Sequence, residues 1–313
     1  MDGKEYNQKA EELKNIIDDD NITLEQKISA CEEIVFSDYC RENNLLNCLD
    51  YLLDLYNKAG RYQDIINFVM FDFKNRFKDN ERGDAETNWF VLIASLYPSY
   101  SFRVVDAEIA LQNYKMAKEI LSALKENRYE MLNMHQNSGL RGECVFWYSH
   151  VLAKYAQIAI LEGDASTACD YLNDSFWKEY NAISLESVYY TAKVWSGKVS
   201  PDYKDEISVE LFEQVANADY TSEKWGEDEK KMIVDSNYQL GLLYSTDPSH
   251  IDKSKAKKYL EKARELGQPI SDEEITELIE FVPQTPAKAN NTTAQNNNSN
   301  SGGGCYVATC VYG

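Results

Sequence analysis

The sequence predicts an all-α protein. Helical periodicity of apolar residues runs almost without interruption from Lys4 to about Phe281, and strictly alternating apolar and polar runs are scarce. Two capping boxes mark predicted helix starts, pairing Thr23 with Gln26 and Ser271 with Glu274. Four of the six prolines lie where the apolar pattern lapses, as expected between helices: Pro98, Pro201, Pro248 and Pro269.

The length of the chain, its net charge and the pattern of its first residues limit the kinds of partner and the cell compartment that we expect. The chain has 313 residues, 43% of them hydrophobic, which is enough to bury a substantial core. Its formal net charge of −20 argues against nucleic acid and anionic membrane surfaces as partners. The first residues lack the pattern of a secretion signal. The longest apolar-rich stretch, Val145 to Leu161, is interrupted by polar residues and predicts a buried helix rather than a membrane span. We expect a cytoplasmic protein.

Motifs that carry chemistry are missing from the sequence. The three histidines have no cysteine or acidic partner at metal-ligand spacing. There is no phosphate-binding loop, no dinucleotide fingerprint and no nucleophile elbow. The seven cysteines are odd in number and scattered through helical sequence, which favours reduced thiols over a disulfide scaffold. We therefore expect no catalytic residue, cofactor or metal, and a protein that is not an enzyme. The less favoured alternative is an enzyme whose active site lies in a loop.

Three segments share one pattern of apolar and small residues, which in the first two is arranged around a turn glycine and in the third around a longer turn. They are "CLDYLLDLYNKAGRYQDIINFV" with Gly60, "VLAKYAQIAILEGDASTACDYL" with Gly163, and "NYQLGLLYSTDPSHIDKSKAKKYLEKARELG", which ends on Gly267. Small residues let two helices approach closely, while larger ones fill the flanking holes. Leu52 and Tyr155 are separated by about three units of 34 residues. The interval from Tyr155 to Leu240 is not a whole number of such units, which predicts an irregular pair or insertion.

These segments resemble tetratricopeptide repeats, and the third, from Leu240 to Gly267, resembles the Sel-like relatives of that family. The resemblance implies an irregular α-α solenoid of helix pairs over residues 1–282, with a groove lined by the first helix of each pair. It further implies a non-enzymatic interaction scaffold or adaptor that binds a protein or peptide, and the acidic lining would favour a basic one. The predicted partner-binding residues are Asn47, Asp50, Asp54, Asn57, His150 and Gln157. The alternative is that these six residues are merely exposed polar positions.

The last part of the chain differs in composition. Residues 283–304 are rich in Asn, Ser and Gly and predict a flexible linker with a typical reach of about 25 Å. Residues 305–313, "CYVATCVYG", favour extended structure. They resemble the opening of the CFI-box, a C-terminal module of bacterial and archaeal proteins that usually continues further.

Three roles for residues 305–313 stay open. The segment could act as a tether or recognition tag, or it could occupy the chain's own groove. It could also be the substrate of a modifying, processing or conjugating enzyme. The residues we expect to be recognised or modified are Cys305, Thr309, Cys310 and Gly313.

Overall fold

The computed structural model describes residues 2–42, 48–73, 98–134, 140–222 and 224–280. These residues form helices, turns and loops without a β-strand, which confirms the predicted all-α class. The chain divides into two compact units, residues 1–148 and 149–313, so the boundary falls inside the predicted repeat domain 1–282. The predicted linker 283–304 and tail 305–313 lie outside the described residues. No helix in the described ranges combines the length and apolar character needed to cross a bilayer.

The described residues of unit 1 form an array of helices. Its helices are α1 (Gly3–Asp18), α2 (Leu24–Val35), α3 (Asp38–Glu42), α4 (Leu49–Lys58), α5 (Tyr62–Asn67), which continues as a π-helix (Phe68–Phe73), α6 (Pro98–Ala110) and α7 (Tyr114–Met134). Helix α8 (Leu140–Leu161) runs from unit 1 into unit 2.

Unit 2 continues from the second half of α8. Its further helices are α9 (Ala165–Leu172), α10 (Ser175–Glu179), α11 (Leu185–Trp195), a 3-10 turn (Pro201–Tyr203), α12 (Ile207–Ala216), α13 (Glu227–Thr246), α14 (Lys253–Glu265) and α15 (Asp272–Glu280). From α11 onward, each helix packs on the one that follows it in the chain.

Helix ends follow the local signals in the sequence. Both predicted capping boxes are present: the Thr23 hydroxyl accepts from the amide of Gln26, and Ser271 and Glu274 bond each other reciprocally. Gly60 and Gly163, in the turns of the first two segments, and Gly267, at the end of the third, all have left-handed backbones, with φ of 68°, 78° and 107°.

The three glycine turns also share one hydrogen-bonding scheme. Each glycine amide bonds to the carbonyl three residues back, and the following amide bonds to the carbonyl five residues before it. In the first turn these bonds join Gly60 to Asn57 and Arg61 to Tyr56. The same local chemistry therefore closes α4, α8 and α14.

Helices α13 and α14 approach each other closely. A Cβ atom added at Gly241 would lie 2.5 Å from Cγ of Leu260, so only glycine lets the backbones approach this closely. Nearby, the rings of Tyr244 and Tyr259 stack with centroids 5.8 Å apart, and Lys255 donates to the Tyr244 hydroxyl. Gly241 meets Leu260 while Tyr244 meets Lys255, so the two helices run antiparallel.

Helices α11 and α13 are neighbours that run in the same direction. Tyr189 and Lys193 of α11 both reach Asp235, and Lys198, just beyond α11, reaches Gln239 one turn further along α13. Helix α12 packs on both α11 and α13. The side chains that connect α11 and α13 therefore form one polar face shared by the two helices.

Candidate functional site

Two of the predicted binding residues of unit 1 approach the same arginine. Asp50 and Asp54 of α4 are exposed, and both approach Arg103 of α6. The Arg103 guanidinium donates to Asp54 Oδ1 at 2.5 Å and lies 3.8 Å from Asp50. Asn57 is exposed on the same helix, and Asn47 lies outside the described residues. Arg103 neutralises part of the acidic surface on which the expectation of a basic partner rests.

In unit 2, the predicted residues His150 and Gln157 lie on one face of α8 with Lys154 between them. Positions 150, 154 and 157 repeat at helical spacing, so their side chains point the same way. Together with residues of α11 and α13 they form what we call the polar row. Its members are His150, Lys154, Gln157, Glu186, Tyr189, Lys193, Lys198, Asp228, Asp235 and Gln239.

One end of the polar row is a buried charge cluster that joins three helices. Nδ1 of His150 lies 3.0 Å from Glu186 Oε2, and Nζ of Lys154 lies 3.8 Å from Glu186 Oε1. The Lys154 and Glu186 side chains are only 7% and 6% exposed. Asp228, at the start of α13, is 3.9 Å from Lys154 and 49% exposed. A charged pair this deep is costly to desolvate and needs both partners.

The environment of His150 favours its protonated form. Burial is the largest effect and by itself lowers the pKa of the imidazole, and the charge of Lys154 acts in the same direction. The hydrogen bond to Glu186 and the negative charges of Glu186 and Glu229 outweigh both, so the pKa of His150 is raised above its ordinary value.

The other end of the row is organised by the carboxylate of Asp235. It accepts from the Tyr189 hydroxyl at 2.5 Å, from Lys193 Nζ at 3.2 Å and from the Gln239 side-chain amide at 2.8 Å. Burial pushes the pKa of Asp235 upward, but Lys193 and the hydrogen bonds hold it below the ordinary value. Lys198 donates to the side-chain oxygen of Gln239.

Gln157 contributes an unsatisfied acceptor. Its Oε1 atom is buried and has no hydrogen-bond partner among the residues that the structure describes. Most buried side-chain polar atoms are hydrogen-bonded, so the Gln157 oxygen is one of the few exceptions among the described residues. Gln157 lies one turn beyond Lys154 on α8.

The described part of the chain shows no arrangement of three or more His, Cys, Asp or Glu side chains suited to a metal ion. Its five cysteines are buried free thiols. Cys31 and Cys48 come together through the Cys31 thiol and the Cys48 carbonyl oxygen, 3.5 Å apart. Burial, followed by the neighbouring Cys48, raises the pKa of Cys31 to about 12, so this thiol is a poor nucleophile near neutral pH.

Sequence reasoning missed most of the polar row. It identified His150 and Gln157 and treated Lys154 only as an interruption of an apolar stretch. The helical spacing of these three polar residues was the available signal. Glu186, Asp228 and Asp235 carried no comparable signal, because their partners lie on other helices.

No protein-family model matches the chain, and neither a curated protein nor a solved structure matches it. The predicted tail residues lie outside the described residues: Cys305, Thr309, Cys310 and Gly313.

Proposed function

We propose that this protein is a non-enzymatic interaction scaffold whose polar row binds a segment of a partner protein. The observation that carries the proposal is the buried Lys154–Glu186 pair at the start of the row. Apolar side chains of similar volume often pack such a site as stably or more stably than an ion pair. A set of interlinked charges on three helices is therefore better explained by recognition than by stability.

The length of the polar row suits a short extended peptide. On α13 it runs from Asp228 to Gln239, which at 1.5 Å per residue is about 16 Å. An extended chain covers that distance in about five residues, at roughly 3.3 Å each. The row offers the carboxylate of Asp228 at one end and the ammonium groups of Lys193 and Lys198 at the other. Such an arrangement can select both the charge pattern and the direction of a bound peptide.

The resemblance to tetratricopeptide and Sel-like repeats supports the same function. In a solenoid of such pairs, α8, α11 and α13 would be first helices and would line the inner groove. In unit 1, a basic segment of a partner would bind the carboxylates of Asp50 and Asp54 and would compete for them with Arg103. We place this function in the cytoplasm.

For the tail we propose a role as a tether or recognition tag. The second candidate is that residues 305–313 are the substrate of a modifying, processing or conjugating enzyme. The observation in its favour is compositional: from Ala289 to Gly313 there is no charged side chain, and Cys305 and Cys310 follow a glycine run. An intact, unshifted tail mass in protein from its native host would remove this candidate.

Affinity capture with matched variants tests the scaffold. The full chain, Lys193→Gln in the polar row and Lys257→Gln on α14 would each be immobilised and exposed to lysate of the native host. The side chain of Lys257 is 61% exposed and outside the row. Equal melting temperatures would show that all three proteins are folded. We expect a partner retained by the full chain and the Lys257 variant but weakened by Lys193→Gln. The same partners at the same yield from all three proteins, or none above background, would refute the proposal.

A further inference from the structure

Lys198 differs from the other lysines of the polar row in its hydrogen-bond partner. Its ammonium group donates to the neutral side-chain oxygen of Gln239. No described carboxylate lies within ion-pair distance, 4.0 Å, of its nitrogen. By contrast, Lys193 reaches Asp235 at 3.2 Å and Lys154 reaches Glu186 at 3.8 Å. Lys198 thus lacks the direct carboxylate contact that holds a lysine in its charged form.

A second positive charge lies close to Lys198. Gln239 accepts from Lys198 and donates to Asp235, while Asp235 accepts from Lys193, so two ammonium groups share one carboxylate through a continuous chain of side chains. Burial of the ammonium group, followed by the charge of Lys193, lowers the pKa of Lys198 despite the opposing charge of Asp235. Taken as a whole residue, Lys198 is nevertheless exposed, although its contact with Gln239 is partly buried.

We propose that Lys198 is a preferred site of acylation by small acyl thioesters. The neutral amine attacks the thioester carbonyl carbon, and a C–N bond forms as the C–S bond breaks. The leaving thiolate takes up the proton released by the nitrogen, through solvent, so the products are an amide and a free thiol. The Gln239 oxygen accepts one N–H and leaves the lone pair of the neutral amine free for the attack.

Acylation of Lys198 would change the charge of the polar row. The modified nitrogen is neutral, so the row loses one positive charge near Asp235. It also keeps only one N–H, which weakens the link between the end of α11 and α13. The modification goes beyond the proposed scaffold function, because it requires no partner protein and is measured without one.

The test is a site-resolved acylation rate on the full chain. The protein would be treated at pH 8 with the acetyl thioester of N-acetylcysteamine, stopped at low conversion and analysed by peptide mass spectrometry. A parallel reaction in urea corrects for the reactivity of the local sequence. Because the neutral fraction of an amine changes about tenfold per pKa unit, we expect Lys198 to react several-fold faster than Lys231 and Lys257 in the folded protein. Those two lysines are 70% and 61% exposed and paired with carboxylates.

A pair of variants tests whether the positive charge of Lys193 causes the fast acylation of Lys198. Lys193→Gln removes the neighbouring positive charge and should slow acylation of Lys198, whereas Lys257→Gln should leave its rate unchanged. Circular dichroism on each protein would confirm that the fold is retained. Acylation of Lys198 no faster than that of Lys231 and Lys257, or an unchanged rate at Lys198 in Lys193→Gln, would overturn the proposal.

Discussion

Glu186→Gln tests whether the charge cluster of the polar row needs all its members. The change keeps the shape of the side chain and removes one negative charge. Lys154 Nζ and Glu186 Oε1 are 3.8 Å apart, which corresponds to an attraction of about 4 kcal/mol at an effective dielectric constant near 20. Both side chains are more than nine-tenths buried, so little of the lost attraction is replaced by water. We expect the free energy of unfolding to fall by about 3–5 kcal/mol, as for one partner removed from a buried pair.

A matched control exists on α14. Lys257 and Glu261 are also 3.8 Å apart, but their side chains are 61% and 42% exposed. Glu261→Gln makes the same chemical change in water, and its expected effect is below about 0.5 kcal/mol. The two variants therefore show how much of the loss in stability depends on the burial of the ion pair, since the distance between the charges is the same in both pairs.

The assay is urea unfolding followed by circular dichroism. The double variant Glu186→Leu with Lys154→Met removes both charges and should recover most of the stability lost in Glu186→Gln. If Glu186→Gln destabilised the protein no more than Glu261→Gln, the cluster would not behave as a buried ion pair and the argument would be refuted.

Three further predictions follow from pH, packing and thiol burial. Because the pKa of His150 is raised in the folded protein, its contribution to stability is fully present below about pH 6.5, the ordinary pKa of histidine, and is lost as pH rises through the folded-state pKa. The difference in unfolding free energy between the parent protein and His150→Gln should therefore shrink from about pH 6 to about pH 8. A difference that stays constant would contradict the raised pKa of His150. Gly241→Ala should cost about 1–3 kcal/mol because the added Cβ meets Leu260. Gly142→Ala, where the added Cβ would meet no described residue outside its own turn within 4 Å, should be neutral or stabilising. Equal melting temperatures of the two variants would disprove the close approach. In a variant with both tail cysteines replaced by serine, a thiol reagent should show no fast phase before unfolding, since Cys31 and the other described cysteines are buried; a fast phase would show that one of them is accessible.

Local features of the fold were predictable from the sequence. The capping box at Thr23 and the turn glycine at Gly163 specify backbone geometry within a few residues, so they appear where the sequence indicates. The irregular interval between Tyr155 and Leu240 was also visible as a spacing. The structure fills it with the short α10 and with a loop containing a 3-10 turn between α11 and α12.

The pairing of charges across helices was not predictable in the same way. Asp54 has the sequence pattern of a solvent-facing residue on a helix, yet it bonds to Arg103, 49 residues away in the chain. His150 likewise meets Glu186, which belongs to a different helix, α11. Which charges meet depends on the rotation and offset of packed helices, and helical periodicity alone does not determine these quantities.

The sequential packing of helices in unit 2 has a consequence for folding. Because α11 to α15 each contact the helix that follows or precedes them in the chain, short loops close most contacts, which is the pattern of fast-folding proteins. Such an array can also open from its end. Helix α15 buries only Ile275 among its own side chains, so its amides should exchange with solvent hydrogen before those of α13, in the middle of the array.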